Sequence, residues 1–105
     1  MASISTHVLD THLGRPGEGI PVTLWRRHSD RWVAVADTVT DADGRIPSLV
    51  EAADPGTYRI VFDTSTYGAI WFPEVSVVFP VDDPGEHYHV PLLLSSHGYT
   101  TYRGS

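Results

Sequence analysis

The segment His87-Tyr88-His89-Val90-Pro91-Leu92-Leu93-Leu94 places an apolar side chain at every second position. Successive side chains of a β-strand point to opposite faces, so this alternation predicts a strand with one face buried in a core. The inward-facing positions are Tyr88, Val90, Leu92 and Leu94. His87 and His89 then lie together on the opposite face, where both imidazoles are available for chemistry.

Other alternating segments occur along the whole chain, and clusters of Gly, Pro and Asp separate them. Short strands spaced in this way are typical of a two-sheet antiparallel β-sandwich. We therefore predict an all-β fold of about eight strands with one short helix at residues 64–70. One predicted break between strands is Gly14-Arg15-Pro16-Gly17. The predicted strands cover residues 4–10, 20–26, 32–38, 44–49, 57–63, 74–81, 87–94 and 99–104.

Size and composition restrict the class of protein. A chain of 105 residues with 41% hydrophobic residues predicts one domain, residues 1–105, with a small core that oligomerisation would help to stabilise. The net charge of −6 argues against a nucleic-acid partner. The absence of cysteine excludes a disulfide framework and thiolate chemistry. Because the sequence shows neither a membrane-spanning apolar run nor a signal-peptide pattern, we expect no membrane association and a cytoplasmic location, in a bacterial source.

The first strand also carries a histidine on its outer face. Ile4 and Val8 alternate with His7, so His7 faces away from the core, as His87 and His89 do. Three interpretations of this outer surface compete. The histidines could bind zinc as a three-histidine site. They could act as general acid and base beside arginines that bind an oxygen-rich substrate, without a metal. They could also be ordinary polar surface residues.

Several motifs in the chain closely resemble those of the 5-hydroxyisourate hydrolases, which belong to the transthyretin-related family. The resemblance covers nearly the whole chain. The Thr40–Arg45 turn motif is common, the segment around His87 and His89 is more specific, and an ending on Tyr-Arg-Gly-Ser is close to diagnostic. The motifs are Ser5-Thr6-His7-Val8-Leu9-Asp10, Thr40-Asp41-Ala42-Asp43-Gly44-Arg45, Phe72-Pro73-Glu74-Val75, Glu86 to Ser95, and Tyr102-Arg103-Gly104-Ser105.

The resemblance implies a transthyretin-like sandwich that opens the six-membered ring of 5-hydroxyisourate by histidine-assisted attack of water, with no metal and no cofactor. It implies a homotetramer, a dimer of dimers, with the substrate bound at the interface between the dimers. The implied catalytic residues are His7, His89 and Ser105. The implied substrate-binding residues are Arg45, Tyr102, Arg103 and Gly104. His87 is assigned a supporting or structural role.

The same fold is compatible with a different class of function, a non-catalytic carrier of small molecules such as transthyretin. A fold does not determine function, so the site residues must separate the two hypotheses. The Tyr-Arg-Gly-Ser ending and the pair His7 and His89 favour the hydrolase. One departure from the resembled family is the segment Ser95-Ser96-His97-Gly98-Tyr99, which lacks a proline usual there. The residues assigned to the site are unaffected.

Overall fold

Nine β-strands form within residues 2–104, the part of the chain that the computed structural model describes. The predicted all-β class is confirmed. The number of strands is close to the eight expected, and most of their bounds lie near those expected from the alternating segments. The strands are β1 Ala2–Asp10, β2 Arg15–Pro16, β3 Pro21–His28, β4 Arg31–Val39, β5 Arg45–Ala53, β6 Gly56–Asp63, β7 Glu74–Val81, β8 His87–Leu94 and β9 Tyr99–Thr101.

The strands form two sheets that pack face to face. One sheet has the order β2-β1-β8-β9, with β5 also paired to β1, and the other has the order β4-β3-β6-β7. The predicted sandwich is therefore confirmed, but its pairing is not wholly antiparallel. β1 and β8 run parallel, with Ser5 opposite His89 and His7 opposite Pro91. This parallel pair brings together two strands from opposite ends of the sequence.

The core lies between the sheets and is built from the inward faces of the strands. Tyr58, Ile60 and Phe62 of β6 are fully buried, as the alternation predicts, and Ile4 and Val8 of β1 meet them from the other sheet. The four inward positions of β8 are also buried. Each large apolar side chain buried in this way contributes about 1.5–3 kcal/mol to folding. Within residues 2–104, the structure has no helix long and apolar enough to cross a membrane.

The helix predicted at residues 64–70 is wrong, because these residues form turns and bends. Gly68 adopts a positive φ of 51°, which interrupts helical backbone geometry. The loop is held by other bonds: Thr64 donates its hydroxyl to the Phe72 carbonyl, and the Tyr67 amide donates to the Thr64 carbonyl at 3.1 Å. A segment this short gains little from helix formation alone, so side-chain contacts determine its conformation.

Several strand boundaries also differ from the prediction, and β5 continues to Ala53 where residue 49 was the expected end. Arg15 and Pro16, placed in a break, form the short strand β2 against Leu9 and Asp10. The last strand was expected to continue to residue 104 but ends at Thr101. After two unpaired positions the chain returns to the sheet through a single bridge between Gly104 and His89. This bridge places the C-terminal segment beside the histidine-bearing face of β8.

Asp10 links β1 to the loop that follows β6. Asp10 is 3% exposed, and one oxygen of its carboxylate accepts the amides of His12 at 3.0 Å and Leu13 at 2.9 Å. The other oxygen accepts the Tyr67 hydroxyl at 2.8 Å. Burial acts to raise the pKa of Asp10, but the donors of Leu13, Tyr67 and His12 outweigh it and hold the pKa below its usual value.

We expect Asp10→Ala to destabilise the fold by about 1–3 kcal/mol, because it removes the buried acceptor of three hydrogen bonds. Tyr67→Phe removes one of the three bonds and should cost about 1 kcal/mol. Since the folded pKa of Asp10 is depressed, its contribution is present above the unfolded pKa and is lost as the pH falls through the folded one. Urea unfolding of both variants at pH 7 and pH 3 measures these effects. Equal stability of Asp10→Ala and wild type would contradict this role for Asp10.

Candidate active site

The outer face of the sheet that contains β1, β5 and β8 carries the predicted histidines. Ser5 lies opposite His89 across the parallel pair, and His7 lies opposite Arg45 across β1 and β5. Paired residues on neighbouring strands project to the same face, so the pairing brings both sets of side chains onto one surface. A cleft of about 300 Å³ opens there, lined by Ser5, Thr6, Arg45, Pro47, His87 and His89.

Serine side chains of β1 bond the two imidazoles of β8. Ser5 Oγ lies 2.7 Å from Nδ1 of His89 and 2.8 Å from Nε2 of His87. Ser3 Oγ lies 2.5 Å from Nδ1 of His87. The two rings are nearly parallel, with an interplanar angle of 18° and centroids 6.5 Å apart. His87 is exposed, whereas His89 is half-buried.

The surroundings of His89 favour its neutral form. Burial is the largest cause of a lowered pKa, and the positive charges of His87, His7 and Arg45 act in the same direction. A hydrogen bond involving Ser5 opposes this shift without cancelling it. The ordinary pKa of histidine is about 6.5, so a lowered pKa keeps the imidazole in its neutral form, with one ring proton, at neutral pH. His89 can therefore accept a proton from water in the cleft.

Arg45 is positioned by the turn that precedes β5. Asp41 Oδ1 accepts the backbone amides of Asp43 and Arg45, each at 2.9 Å. Gly44 has a φ of 72°, and a Cβ at this position would lie 2.3 Å from the carbonyl oxygen of Val8. Only glycine fits this conformation and this close approach. The turn thereby fixes the guanidinium-bearing residue at the edge of the cleft.

The same turn orients His7. Nε2 of His7 lies 3.1 Å from the carbonyl oxygen of Asp43. A carbonyl can only accept a hydrogen bond, so Nε2 of His7 carries the proton. The neutral form of His7 then presents its free lone pair at Nδ1.

Gly104 lies in direct contact with His89. Its amide donates to the His89 carbonyl at 2.8 Å. A Cβ at residue 104 would lie 2.6 Å from Cδ2 of the imidazole, closer than side chains pack. The backbone at Gly104 therefore forms one wall around the His89 ring and leaves no room for a larger residue.

Tyr102 and Arg103 do not join this cleft within the chain. The guanidinium of Arg103 donates to Glu86 Oε2 at 2.6 Å and lies 4.5 Å from the centre of the Tyr88 ring. Both residues line a separate, more apolar cleft of about 470 Å³ with Phe79, Tyr88 and others. Ser105, the remaining predicted catalytic residue, lies outside the described residues. His7, Arg45, His89 and Gly104 are thus gathered on one face of the sheet, and Tyr102 and Arg103 lie apart from them.

The sequence interpretation did not identify Ser5, although Ser5 bonds both histidines of β8. The signal was present, since Ser5 is two residues before His7 and must share its face in a strand. The three-histidine zinc hypothesis gains no support from the side-chain positions. Among residues 2–104, no three His, Asp or Glu side chains are grouped so that they could hold a metal ion.

Comparisons with known proteins agree with this architecture. Residues 4–104 match the sequence profile of the HIUase/Transthyretin family. The chain is 44% identical over 109 residues to the 5-hydroxyisourate hydrolase of Salmonella dublin, covering 97% of this chain and 80% of that protein. The structure of Klebsiella pneumoniae 5-hydroxyisourate hydrolase superposes with a TM-score of 0.88 at 33% identity and covers both chains fully, 100% each. Sea bream transthyretin, solved with thyroxine, superposes with a TM-score of 0.90 at 31% identity, covering 96% of this chain and 93% of that one.

Proposed function

Because the chain belongs to the HIUase/Transthyretin family, we propose that it is a hydrolase that opens the six-membered ring of 5-hydroxyisourate. The product is 2-oxo-4-hydroxy-4-carboxy-5-ureidoimidazoline, which places the reaction in urate degradation. Relatives that carry this activity in their names are 44% identical to the chain over most of its length. The observation that carries the proposal is the half-buried imidazole of His89, whose pKa is lowered, beside Arg45 in an open cleft.

The reaction needs a base and a group that stabilises negative charge. Water adds to the carbonyl carbon of the ring amide, and its proton passes to Nε2 of His89. The carbonyl oxygen gains negative charge, which the Arg45 guanidinium offsets through charge-assisted hydrogen bonds. The C–N bond then breaks and the leaving nitrogen takes up a proton. We assign that second transfer, or the orientation of the water, to His7.

The residues of the C-terminal segment complete this proposal. Gly104 sets the position of the His89 ring, and Ser105 is proposed to orient the attacking water through its hydroxyl or carboxylate. Tyr102 and Arg103 are proposed to bind the substrate. For this, the Arg103 guanidinium would have to leave Glu86, to which it is bonded within the chain.

We also propose that the working form is a homotetramer, a dimer of dimers, with the substrate at the interface between dimers. The outer-face cleft is open on one side in the single chain. Two such faces brought together would exclude water and strengthen each polar contact with the substrate. Light scattering coupled to size exclusion would test the assembly.

A single domain of residues 1–105 and a cytoplasmic, bacterial location remain predictions.

The activity can be tested directly with substrate generated in place. Urate oxidase produces 5-hydroxyisourate, whose decay is followed by its absorbance with and without the protein. We expect the protein to accelerate the decay at catalytic concentrations. Decay at the uncatalysed rate, together with stoichiometric binding of an aromatic ligand, would favour the carrier. Loss of activity on chelation and its recovery with added zinc would favour the metal mechanism.

Arg45→Lys is expected to lower kcat/KM by about 10-fold or more, because lysine keeps the charge but loses the planar pair of donors. A matched control is Arg31→Lys, which changes an arginine of β4 in the other sheet. The control should keep the wild-type kcat/KM. If Arg45→Lys retained full kcat/KM, Arg45 would contribute charge alone.

A further inference from the structure

A continuous chain of hydrogen bonds runs along the cleft, from an exposed ring to a half-buried one. It links Ser3, His87, Ser5 and His89 in that order, with successive distances of 2.5, 2.8 and 2.7 Å. We name it the serine–histidine chain. Its outer end, at Ser3 and His87, reaches solvent, and its inner end is the half-buried ring of His89. The family resemblance gave His87 only a supporting role and Ser5 none.

Ser5 couples the protonation of the two rings. A serine hydroxyl has one proton and two acceptor lone pairs, so Ser5 can donate to only one of the two imidazoles, and a relay through Ser5 requires that it accept from the other. If Ser5 donates to Nε2 of His87, it must accept from Nδ1 of His89, and both neutral rings carry their proton on Nδ1. If Ser5 donates to Nδ1 of His89, both neutral rings carry their proton on Nε2. Whenever Ser5 donates to one ring and accepts from the other, the two histidines therefore hold the same tautomer.

We propose that the serine–histidine chain is a proton relay that moves the proton taken from water away from His89 to the exposed ring of His87. In this role Ser5 and His87 are positioning residues that act through His89. The inference rests on the proposed hydrolase function. It adds to that function a path for the proton.

All the protons of the relay move in one concerted step, and each one has a donor and an acceptor. The resting state has both rings protonated on Nδ1, so Nε2 of His89 has a free lone pair facing the cleft. When Nε2 takes a proton from the attacking water, Nδ1 of His89 gives its proton to Ser5 Oγ. Ser5 in turn gives its own proton to Nε2 of His87. His89 ends neutral with its proton on Nε2, Ser5 is unchanged, and the positive charge lies on His87.

The surroundings of His89 explain why this transfer is favourable. His7 on β1, Arg45 on β5 and His87 on β8 all disfavour a positive charge on His89, and so does its burial. Gly104, which packs against the ring from the C-terminal segment, carries no side chain that could balance such a charge. Within the single chain His87 is exposed and His89 is half-buried, so a positive charge costs less desolvation on His87 than on His89. The reverse transfer, from His87 through Ser5, returns a proton to Nδ1 of His89 as Nε2 gives up its own, and this restores the resting state.

The tautomers test the relay without any substrate. Nitrogen-15 NMR of the histidine rings in the folded protein should show both His87 and His89 in the neutral tautomer protonated on Nδ1 at pH 8. In Ser5→Ala the coupling is lost, and at least one ring should change its tautomer population. Ser5→Thr keeps the hydroxyl and should restore the wild-type pattern. A neutral wild type in which either ring carries its proton on Nε2 would overturn the relay.

The kinetic test uses solvent deuterium. If the relay operates, the wild-type rate should depend non-linearly on the deuterium fraction of the solvent, because several protons move together. Ser5→Ala and His87→Gln should each lower kcat by about 10-fold and give a linear dependence, as expected for a single transferred proton. Ser76 is a serine of β7 in the other sheet, so Ser76→Ala should change neither kcat nor its dependence on deuterium. His87→Gln keeps the test valid if Ser5→Ala does not fold, because His87 is exposed.

The two proposals fail in different ways. If the wild type does not hydrolyse 5-hydroxyisourate, the proposed function is wrong, and the NMR result still decides whether the rings are coupled. If the wild type is active and both variants keep its kcat and its deuterium dependence, the hydrolase stands and the relay is wrong.

Discussion

Replacing His89 with alanine should lower kcat by about 100-fold or more, because the variant loses the group that takes the proton from water. This corresponds to about 2.7 kcal/mol of transition-state stabilisation. The imidazole lies on the outer face of β8 and outside the core between the sheets, so its loss should leave the fold intact. The expected signature is a fall in kcat with little change in melting temperature.

The pH profile separates loss of a base from loss of packing. In the wild type, burial first and then the charges of His87, His7 and Arg45 lower the pKa of His89. The pKa that governs the acid limb of the kcat/KM profile should therefore lie below the ordinary histidine pKa of about 6.5. Activity should persist to lower pH than a free histidine would allow. In His89→Ala this limb should disappear from the residual rate.

His28→Ala is a suitable control for this experiment. His28 is an exposed histidine at the end of β3, in the other sheet. Its removal changes the histidine content by the same amount and should leave kcat unchanged. His7→Ala should resemble His89→Ala in kcat, because His7 shares the outer face. Full activity of His89→Ala would remove His89 from the mechanism.

Gly104→Ala should lower kcat by about 10- to 100-fold, although the change adds only one methyl group. A Cβ at this position would lie 2.6 Å from the His89 ring, so either the ring or the C-terminal segment must move. A ring displaced in this way loses its alignment with Ser5 and with the substrate. Displacements of about 1 Å at a reacting group commonly cost rates of this size.

Gly98→Ala provides the matched control in the same C-terminal segment. A Cβ at Gly98 would lie 3.5 Å from Ser95 Oγ, an ordinary contact. We expect this variant to keep wild-type kcat, and both glycine variants to melt within a few degrees of the wild type. A Gly104→Ala enzyme with full activity would show that the His89 ring tolerates displacement or that the C-terminal segment moves freely.

Alternation along single strands was sufficient to predict the core. Tyr58, Ile60 and Phe62 lie on one face because a strand has a period of two, and the buried faces of β6 and β8 follow from that alone. The same argument placed His7, His87 and His89 on outer faces. The predicted helix failed because residues 64–70 take their conformation from distant partners, such as Asp10 for Tyr67. The pattern of residues within one short segment contains no information on those distant contacts.

The outer-face cleft required information that no single strand holds. Its residues meet through pairing of β1 with β8 and with β5, and the sequence does not state which strands are neighbours. The family resemblance supplied that proximity for His7, Arg45 and His89. It did not supply the bond from Ser5 to both rings, nor the attachment of Arg103 to Glu86. Those contacts depend on side-chain positions in the assembled sheet.

The parallel pairing of β1 and β8 has a consequence for the order in which the protein matures. Ser5 and His89 are separated by 84 positions along the chain, so their contact closes one of the longest loops the polypeptide can form. Contacts between distant residues carry a large entropic cost and form slowly during folding. Both strands must have left the ribosome before these two side chains can meet. The cleft therefore forms only after β8 has been synthesised, and the hairpins of the other sheet can form before it.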